Sequence, residues 1–540
     1  MPELSLYYYR DNFLQLLDTV EGLYSDLLIA DELEFLNTYR ELPFAGQCLY
    51  VRLVSRVGPW FRERRLNYQE LDDIKAALNA LLDSGLLLEA SRLSSEELGR
   101  LCTRSELATI FSLGAGSKAD LLAQIAEQEG LSALLAFDGQ RVVAPAHVSI
   151  VELMQLLFFG NHYQGMTDFV LSDLGVARYY PYRLDRSRRL FPGRRELEEF
   201  LTCIERTERW KLLQEESHAP SMLEFANELL AESPRYVTSQ RRWCRLCNGL
   251  ARQLERDGHD GTAIKLYAVS QLHPARERRA RLLERVGEHR EALALCQTIE
   301  VEPWCEDERD AAQRIGSRLL RKLEGTKIAR SRDSFVEAEL VLSRSELGVE
   351  KQVARALSCD WQGVHYVENR LMNALFGLAF WQQIFAPVAG AFNNRFQSVP
   401  ADMYEQTFRS SRQELIDERL LELEGLDLAE ELPRCWRLYH DYQCRWISWK
   451  YLNEHLVAAA SSVIPKNDLL AIWRRMLFDP RENRRGFPDL LALGTEPGDY
   501  QMIEVKGPGD ALQDSQKRWL RFFQQEDIPA SIVWVRWADA

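Results

Sequence analysis

Three residues near the C-terminus have the types and spacing for metal-assisted hydrolysis of a phosphodiester. Gly486-Phe487-Pro488-Asp489-Leu490 is followed by Ile503-Glu504-Val505-Lys506-Gly507. Two carboxylates suit a hard divalent cation such as Mg²⁺ or Mn²⁺. One or two such ions stabilise charge on a transferring phosphate and generate hydroxide from water. The ammonium of Lys506 would orient the attacking water or offset developing charge. Phe487 to Leu493 reads as a short apolar strand, Gly494 to Asp499 as a turn, and Tyr500 to Lys506 as a second strand stopped by Gly507-Pro508-Gly509. In that hairpin, Glu504 and Lys506 share one face while Ile503 and Val505 point to the other, toward a core. Asp489 then lies across from Glu504, and two carboxylates meeting there repel unless a cation bridges them. The competing reading is a surface hairpin with scattered charges, since Pro-Asp and Glu-x-Lys are each common by chance.

Other elements must complete such a site. Trp361 to Phe385 reads as one amphipathic helix with Val364, Val367, Leu371, Leu375 and Leu378 as its apolar stripe. Glu368 falls on that stripe, where a carboxylate is costly unless it is paired or metal-bound. Periodicity alone leaves open whether Glu368 is a third metal ligand or sits at the edge of the stripe and reaches water. Asp510 to Gln525 reads as a helix carrying Gln516, Lys517 and Trp519, and residues 530–537 read as a closing buried strand. Helix, strand, strand, helix, strand describes a mixed α/β core.

The chain of 540 residues is long enough for three or four domains. No apolar run reaches the roughly 18 residues of a membrane span, and the start shows no secretory signal, so a cytoplasmic protein without a membrane partner is expected. Ten cysteines are dispersed, and the Cys244-x-x-Cys247 pair reads as buried thiols because no second pair stands at zinc-site spacing. A net charge of −14 argues mildly against a nucleic-acid partner. Basic residues nevertheless cluster in Arg52 to Arg65, Arg178 to Arg195 and Arg481 to Arg485, while acids concentrate in Glu414 to Glu431.

Upstream, residues 5–90 read as mostly helical, with Arg52 and Arg56 on one helical face beside Tyr50, Trp60 and Phe61. DNA contact and mere solvation both fit these arginines. Leu113-Gly114-Ala115-Gly116-Ser117-Lys118 separates two short helices, and Ser117 with Asp120 forms a capping box. Lys118 at that helix start would hold a phosphate. Residues 140–345 look almost wholly helical. Leu254-Glu255-Arg256-Asp257-Gly258, Ala263 and Leu266 recur 29 residues later as Leu283-Glu284-Arg285-Val286-Gly287, Ala292 and Leu295. Such repeats stack into solenoids, here shorter than the tetratricopeptide period of about 34. Tyr179 to Arg189 reads as a basic aromatic loop suited to nucleic acid.

Several of these stretches together resemble the VRR-NUC branch of the PD-(D/E)xK nucleases and, over nearly the full length, the Fanconi anaemia-associated nuclease family in a bacterial-type short form. They are Leu49 to Leu53 with Gly58 to Phe61, the turn before Lys118 (similar to the SAP module), Gly348-Val349-Glu350, Glu368 with Phe376-Gly377-Leu378 and Phe380-Trp381, and the two motifs around Asp489 and Glu504. The resemblance implies a multidomain, mostly α protein. A helical, winged-helix-like DNA-binding region would occupy 1–90, a SAP-like module 91–140, tetratricopeptide-like helices 141–345, and an α/β PD-(D/E)xK nuclease core with a mixed sheet flanked by helices 346–540. It implies catalytic roles for Glu368, Asp489, Glu504 and Lys506, with Glu368, Asp489, Glu504 and the Val505 carbonyl as metal ligands. The implied activity is 5′-flap endonuclease and 5′-to-3′ exonuclease action on branched DNA in interstrand crosslink repair. Arg52, Arg56 and Lys118 would grip duplex phosphates, and Gln516 is counted among the DNA contacts. Ser515 stands where some relatives carry a basic residue, leaving Arg481, Arg484 or Arg485 to hold a 5′-phosphate. A monomer is expected, with repair-protein partners on the helical middle. A non-catalytic repair scaffold with a vestigial nuclease fold, or a restriction-type endonuclease, would share parts of this pattern.

Overall fold

Apolar residues at helical spacing build most of the N-terminal unit. It comprises Met1–Arg178, Leu184–Leu190 and Phe392–Phe396 of a chain whose computed structural model describes residues 6–56, 58–125, 127–165, 178–216, 218–325 and 333–538. Phe13, Leu16, Leu17, Val20 and Tyr24 are buried on the helix Tyr8–Tyr24, as are Phe35, Leu36 and Tyr39 on Ala30–Glu41 and Leu49, Tyr50 and Leu53 on Phe44–Val54. Three short strands, β1 (Phe61–Arg62), β2 (Leu87–Glu89) and β3 (Val142–Pro145), form an antiparallel sheet in the order β1-β3-β2. Strand β3 comes from beyond residue 140, so this sheet brackets the segment carrying Lys118. Within that segment, Ser94, Thr103 and Ser117 each cap a helix through a capping box, and Asp120 N–H donates to Ser117 Oγ at 3.2 Å as the spacing predicts.

The second unit comprises Tyr179–Arg183, Phe191–Ala391 and Gln397–Ala540. Its helical part repeats as the sequence echo suggests. Helices Val237–Arg256 and Asp260–Val269 form one pair, Ala275–Val286 and His289–Val301 the next, and Glu306–Glu324 follows. Gly258 and Gly287 hold the two equivalent turns at φ +82° and +95°, a region that favours glycine. Leu254, Ala263 and Leu266 are buried, as are their echoes Leu283 and Ala292. Cys244 and Cys247 are buried free thiols on the first of these helices.

A five-stranded mixed sheet follows: β4 (Glu337–Leu342), β5 (Gly363–Tyr366), β6 (Leu490–Leu493), β7 (Tyr500–Lys506) and β8 (Ala530–Trp537), in the order β4-β8-β7-β6-β5. Strands β4, β8 and β7 run parallel, and β6 and β5 are antiparallel additions. Leu490, Ala492, Ile503, Val505, Val533 and Val535 pack with Val353 of the helix Val349–Leu357 in one cluster. Each such side chain contributes about 1.5–3 kcal/mol when fully buried. Strand β8 is internal rather than closing, because β4, upstream of residue 345, pairs along its outer side.

The single helix expected over Trp361 to Phe385 is replaced by β5, a turn, and the helices Glu368–Ala379 and Trp381–Ile384. The run Gly363-Val364-His365-Tyr366 pairs with β6, Val364 lying opposite Ala492. Tertiary pairing overrides a periodicity that suits either element. Glu368 is therefore a helix-start residue and not part of an inward stripe. Among the described residues, no helix is long and apolar enough to cross a membrane.

Candidate active site

The hairpin β6–β7 brings Asp489 and Glu504 together as their spacing predicts. Leu490 pairs with Ile503, and continuing that register sets Asp489 opposite Glu504. Val505 N–H donates to Asp489 Oδ2 at 2.9 Å. The N–H and C=O of one strand residue point to the same flank, so the Val505 carbonyl also faces the Asp489 side. Pro488, the next residue along that register, has no N–H to offer this carbonyl. It is left available to a cation.

Glu504 is 1 % exposed and Lys506 is 8 % exposed. Lys506 Nζ lies 2.8 Å from Glu504 Oε1 and donates to Gln516 Oε1 at 3.0 Å, while Gln516 Nε2 donates to Glu504 Oε1 at 2.5 Å. Glu504 Oε2 is buried and has no hydrogen-bond partner among the described residues. A buried carboxylate oxygen is costly to leave unpaired. Burial, reinforced by the nearby Asp489 charge, raises the Glu504 pKa to about 7 although Lys506 opposes the shift. Burial likewise pushes Asp489 up to about 6, against the Val505 N–H, with Glu350 and Glu368 adding to the rise. Two acids with raised pKa values, and an orphan Oε2 on the carboxylate whose Oε1 is held by Lys506 and Gln516, fit a divalent cation, whose charge would relieve these strains.

The third acid is close by but turned away. Val367 and Glu368 N–H groups both donate to the Asp489 carbonyl at 2.9 Å, fixing the helix start against the hairpin. Glu368 adopts φ +42°, which a non-glycine residue holds only under strain of about 1–3 kcal/mol. Its carboxylate accepts from Tyr366 OH at 3.2 Å and lies 3.9 Å from Arg370. Among the described residues, no three His, Cys, Asp or Glu side chains close a metal cage. The expected convergence of three acids is thus, among the described residues, a buried Glu504 and a half-buried Asp489, with the Glu368 carboxylate held instead by Tyr366.

Two features escaped the sequence reading of the site. Glu350 appeared only as part of the family likeness, yet its charge raises Asp489 more than that of Glu368 does. An acid in the first turn of a helix, after Gly348 and before apolar Val353, is the signal that would have marked it. Gln516, counted among DNA contacts, instead bridges Lys506 and Glu504 from the helix Asp514–Gln525. That helix approaches because Gly486, at φ +83°, has no side chain. A Cβ there would sit 2.7 Å from the Ser515 backbone. Phe487 stacks on Trp519 with ring centroids 4.0 Å apart, Trp519 Nε1 donates to the Arg485 carbonyl, and Phe487 N–H donates to Asn369 Oδ1.

The other expected DNA contacts are dispersed and mostly engaged. Arg52 donates to Glu70 Oε1 at 2.6 Å and lies over the Tyr9 ring, so it serves an internal ion pair. Arg56 follows the end of the helix at Val54, off the shared face, and donates to Tyr68 OH. Lys118 is exposed at the first position of its helix. Arg481 donates to the Tyr404 carbonyl, Arg484 lies over the Tyr404 ring, and Arg485 is exposed. In the aromatic loop, Arg189 is buried and pairs with Asp26, which leaves it structural. Val57 and residues 166–177 lie outside the described residues.

Comparison with known proteins identifies the modules of the chain. Residues 7–88 match the FAN1 HTH domain, 92–136 the Fanconi anemia-associated nuclease SAP domain, and 426–537 the VRR-NUC domain. The last match covers β6, β7 and β8 but not β4, β5, Glu350 or Glu368. A Fanconi-associated nuclease 1 homolog from Pseudomonas aeruginosa is 33 % identical over 98 % of this chain and 96 % of its own. One from Arabidopsis thaliana is 25 % identical over 98 % of this chain and 67 % of its own. A crystal structure of paFAN1 bound to 2nt 5′flap DNA with gap superposes with a TM-score of 0.82 at 33 % identity, covering 99 % of both chains. A nuclease with a VRR-NUC domain requires a divalent metal, which is what the paired acids and orphan oxygen call for. With three family domains in order and a relative matched from end to end, the chain belongs to the Fanconi-associated nuclease 1 family of DNA hydrolases.

Proposed function

We propose that this protein is a structure-selective deoxyribonuclease that hydrolyses a phosphodiester in DNA bearing a 5′ flap, using Mg²⁺ or Mn²⁺. The observation that carries this reading is the unpaired, buried Glu504 Oε2 beside Asp489. A relative of similar length, paFAN1, was crystallised with 5′-flap DNA in two structures, which supports the substrate class. Asp489, Glu504 and the Val505 carbonyl would hold the cation, with Glu368 and Glu350 the further acids nearby. When bound, the cation supplies charge stabilisation to the phosphate and lowers the pKa of a bound water. Lys506, fixed by Gln516, orients the water and offsets charge on the phosphate oxygens. Lys118 and the exposed Arg485 supply phosphate contacts that fix register without reading sequence. Incision polarity and a role in crosslink repair follow the same family reading.

The test is cleavage of end-labelled 5′-flap, 3′-flap, blunt and single-stranded DNA with Mg²⁺, Mn²⁺ or EDTA. Wild type should cut the 5′-flap substrate preferentially and only with metal, and Asp489→Ala and Lys506→Ala should not. Equal cutting by Asp489→Ala would overturn the site. A wild type inert on every substrate with either metal would leave the scaffold reading in its place.

A further inference from the structure

Next to the carboxylates lies a group of side chains that the hydrolytic reading does not use. Tyr366, at the end of β5, is 37 % exposed, and Tyr451 is 52 % exposed. Between them stands Arg370, its guanidinium 4.3 Å from the Tyr451 ring centroid and 5.8 Å from that of Tyr366. The Arg370 side chain donates no hydrogen bond among the described residues, and its carboxylate neighbour is Glu368 at 3.9 Å. Lys450 Nζ lies 5.4 Å from the same Tyr451 ring. Tyr366, Arg370, Ser448 and Tyr451 also line one small pocket.

This arrangement is unusual for a surface. Large exposed aromatics in a soluble protein mark recognition sites when they cluster. Two exposed rings flanking a guanidinium without a hydrogen-bonded partner form a stacking platform with positive charge at its centre. The platform begins at Tyr366, whose hydroxyl donates to the Glu368 carboxylate at 3.2 Å. Whatever stacks on it is therefore held beside Glu368, whose N–H donates to the Asp489 carbonyl at 2.9 Å.

We propose that Tyr366, Arg370 and Tyr451 form the subsite for an unpaired nucleotide next to the scissile phosphodiester, with its base stacked on Tyr451 and its phosphate facing Arg370 and Lys450. The proposal rests on the nuclease reading above and adds to it a positioning surface. Base–aromatic contacts tolerate any base because each has a π-face, which suits an enzyme that selects DNA by structure. Arg370 changes partner on binding. It leaves the weak contact with Glu368 for a phosphate, while Tyr366 OH stays as that carboxylate's hydrogen-bond partner.

The experiment compares wild type, Tyr451→Ala, Tyr451→Trp and Arg370→Gln on a 5′-flap substrate and on the same substrate with single abasic residues stepped across the junction. Tyr451→Ala should raise KM by about tenfold on the natural substrate, the scale of one lost base stack. At one abasic position the wild type should show the same loss, and Tyr451→Ala should add nothing to it. Tyr451→Trp should retain wild-type KM. Arg370→Gln should raise KM and reduce its salt dependence by about one phosphate contact. Wild-type KM in Tyr451→Ala overturns the proposal, as does an equal further loss at every abasic position, which marks a structural effect. Wild type failing to cut any substrate sinks the nuclease reading itself, a result distinct from either of these.

Discussion

Two carboxylate clusters in this protein, one around the buried Arg62 and one around the buried Glu504, have opposite character. In the N-terminal unit Arg62, 3 % exposed, donates to both oxygens of Asp138 at 2.6 Å and to Glu106 at 2.7 Å. Burial alone would raise the Glu106 pKa, but the Thr103 N–H and the Arg65 and Arg62 guanidiniums hold it at about 2. In the nuclease sheet Asp489 and Glu504 share a single lysine, one oxygen is orphaned, and both pKa values are raised. The first cluster is complete without a ligand and ties strand β1 to the helices around it. The second is incomplete, with the fold supplying position and leaving charge compensation to a cation. Unmet valence is what sets the proposed catalytic cluster apart from the structural one.

That contrast breaks most visibly if Asp489→Ala leaves cutting intact. Flap cleavage should fall by more than roughly 100-fold, beyond the usual loss for an outer-shell partner, while the unfolding midpoint at pH 8 holds or rises. Arg62→Ala should behave in reverse. Stranding Asp138 should cost about 3–5 kcal/mol in urea unfolding, with cleavage per folded molecule unchanged. Gln516→Ala tests the bridge between the acids and the lysine, and the Mg²⁺ concentration for half-maximal rate should rise by about 10–100-fold.

The two clusters should also respond to pH with opposite signs. Glu504 has a folded pKa above its unfolded value of 4.5. Its favourable contribution is present below that value and is lost as pH rises through about 7. In EDTA, Glu504→Gln should therefore melt increasingly above wild type from pH 5 to pH 8, by on the order of 1–2 kcal/mol once the amide's own burial is counted. Glu106, held low, contributes stability above its unfolded value and loses it as pH falls through about 2, so Glu106→Gln should be destabilised at neutral pH. The smallest expected effect is at Lys118, exposed and outside both clusters. Lys118→Ala should weaken binding of all duplexes uniformly and lower the logarithmic salt slope by about 1.

Alternation over Tyr500 to Lys506 was enough to pair Glu504 with Lys506 on one face, because the period of a strand admits one assignment when Ile503 and Val505 must be buried. The turn at Gly494 to Asp499 then placed Asp489 across from them. Capping chemistry at Ser117 and the echo from Leu254 to Leu283 were legible for the same reason, since both are local. Arg52, by contrast, read as a DNA contact because its partner Glu70 and the Tyr9 ring are distant in sequence.

By itself the sequence determined the hairpin and its acid–acid–lysine geometry, which follow from contacts between near neighbours, while the order of the modules came from resemblance to a family. Only the tertiary structure decided that Val364 lies on a strand, that Glu368 starts a helix with its carboxylate turned to Tyr366, and that Glu350 bears on Asp489. Those outcomes depend on pairing between β5 and β6 across more than a hundred residues, a long-range match that outweighs any local preference of the segment.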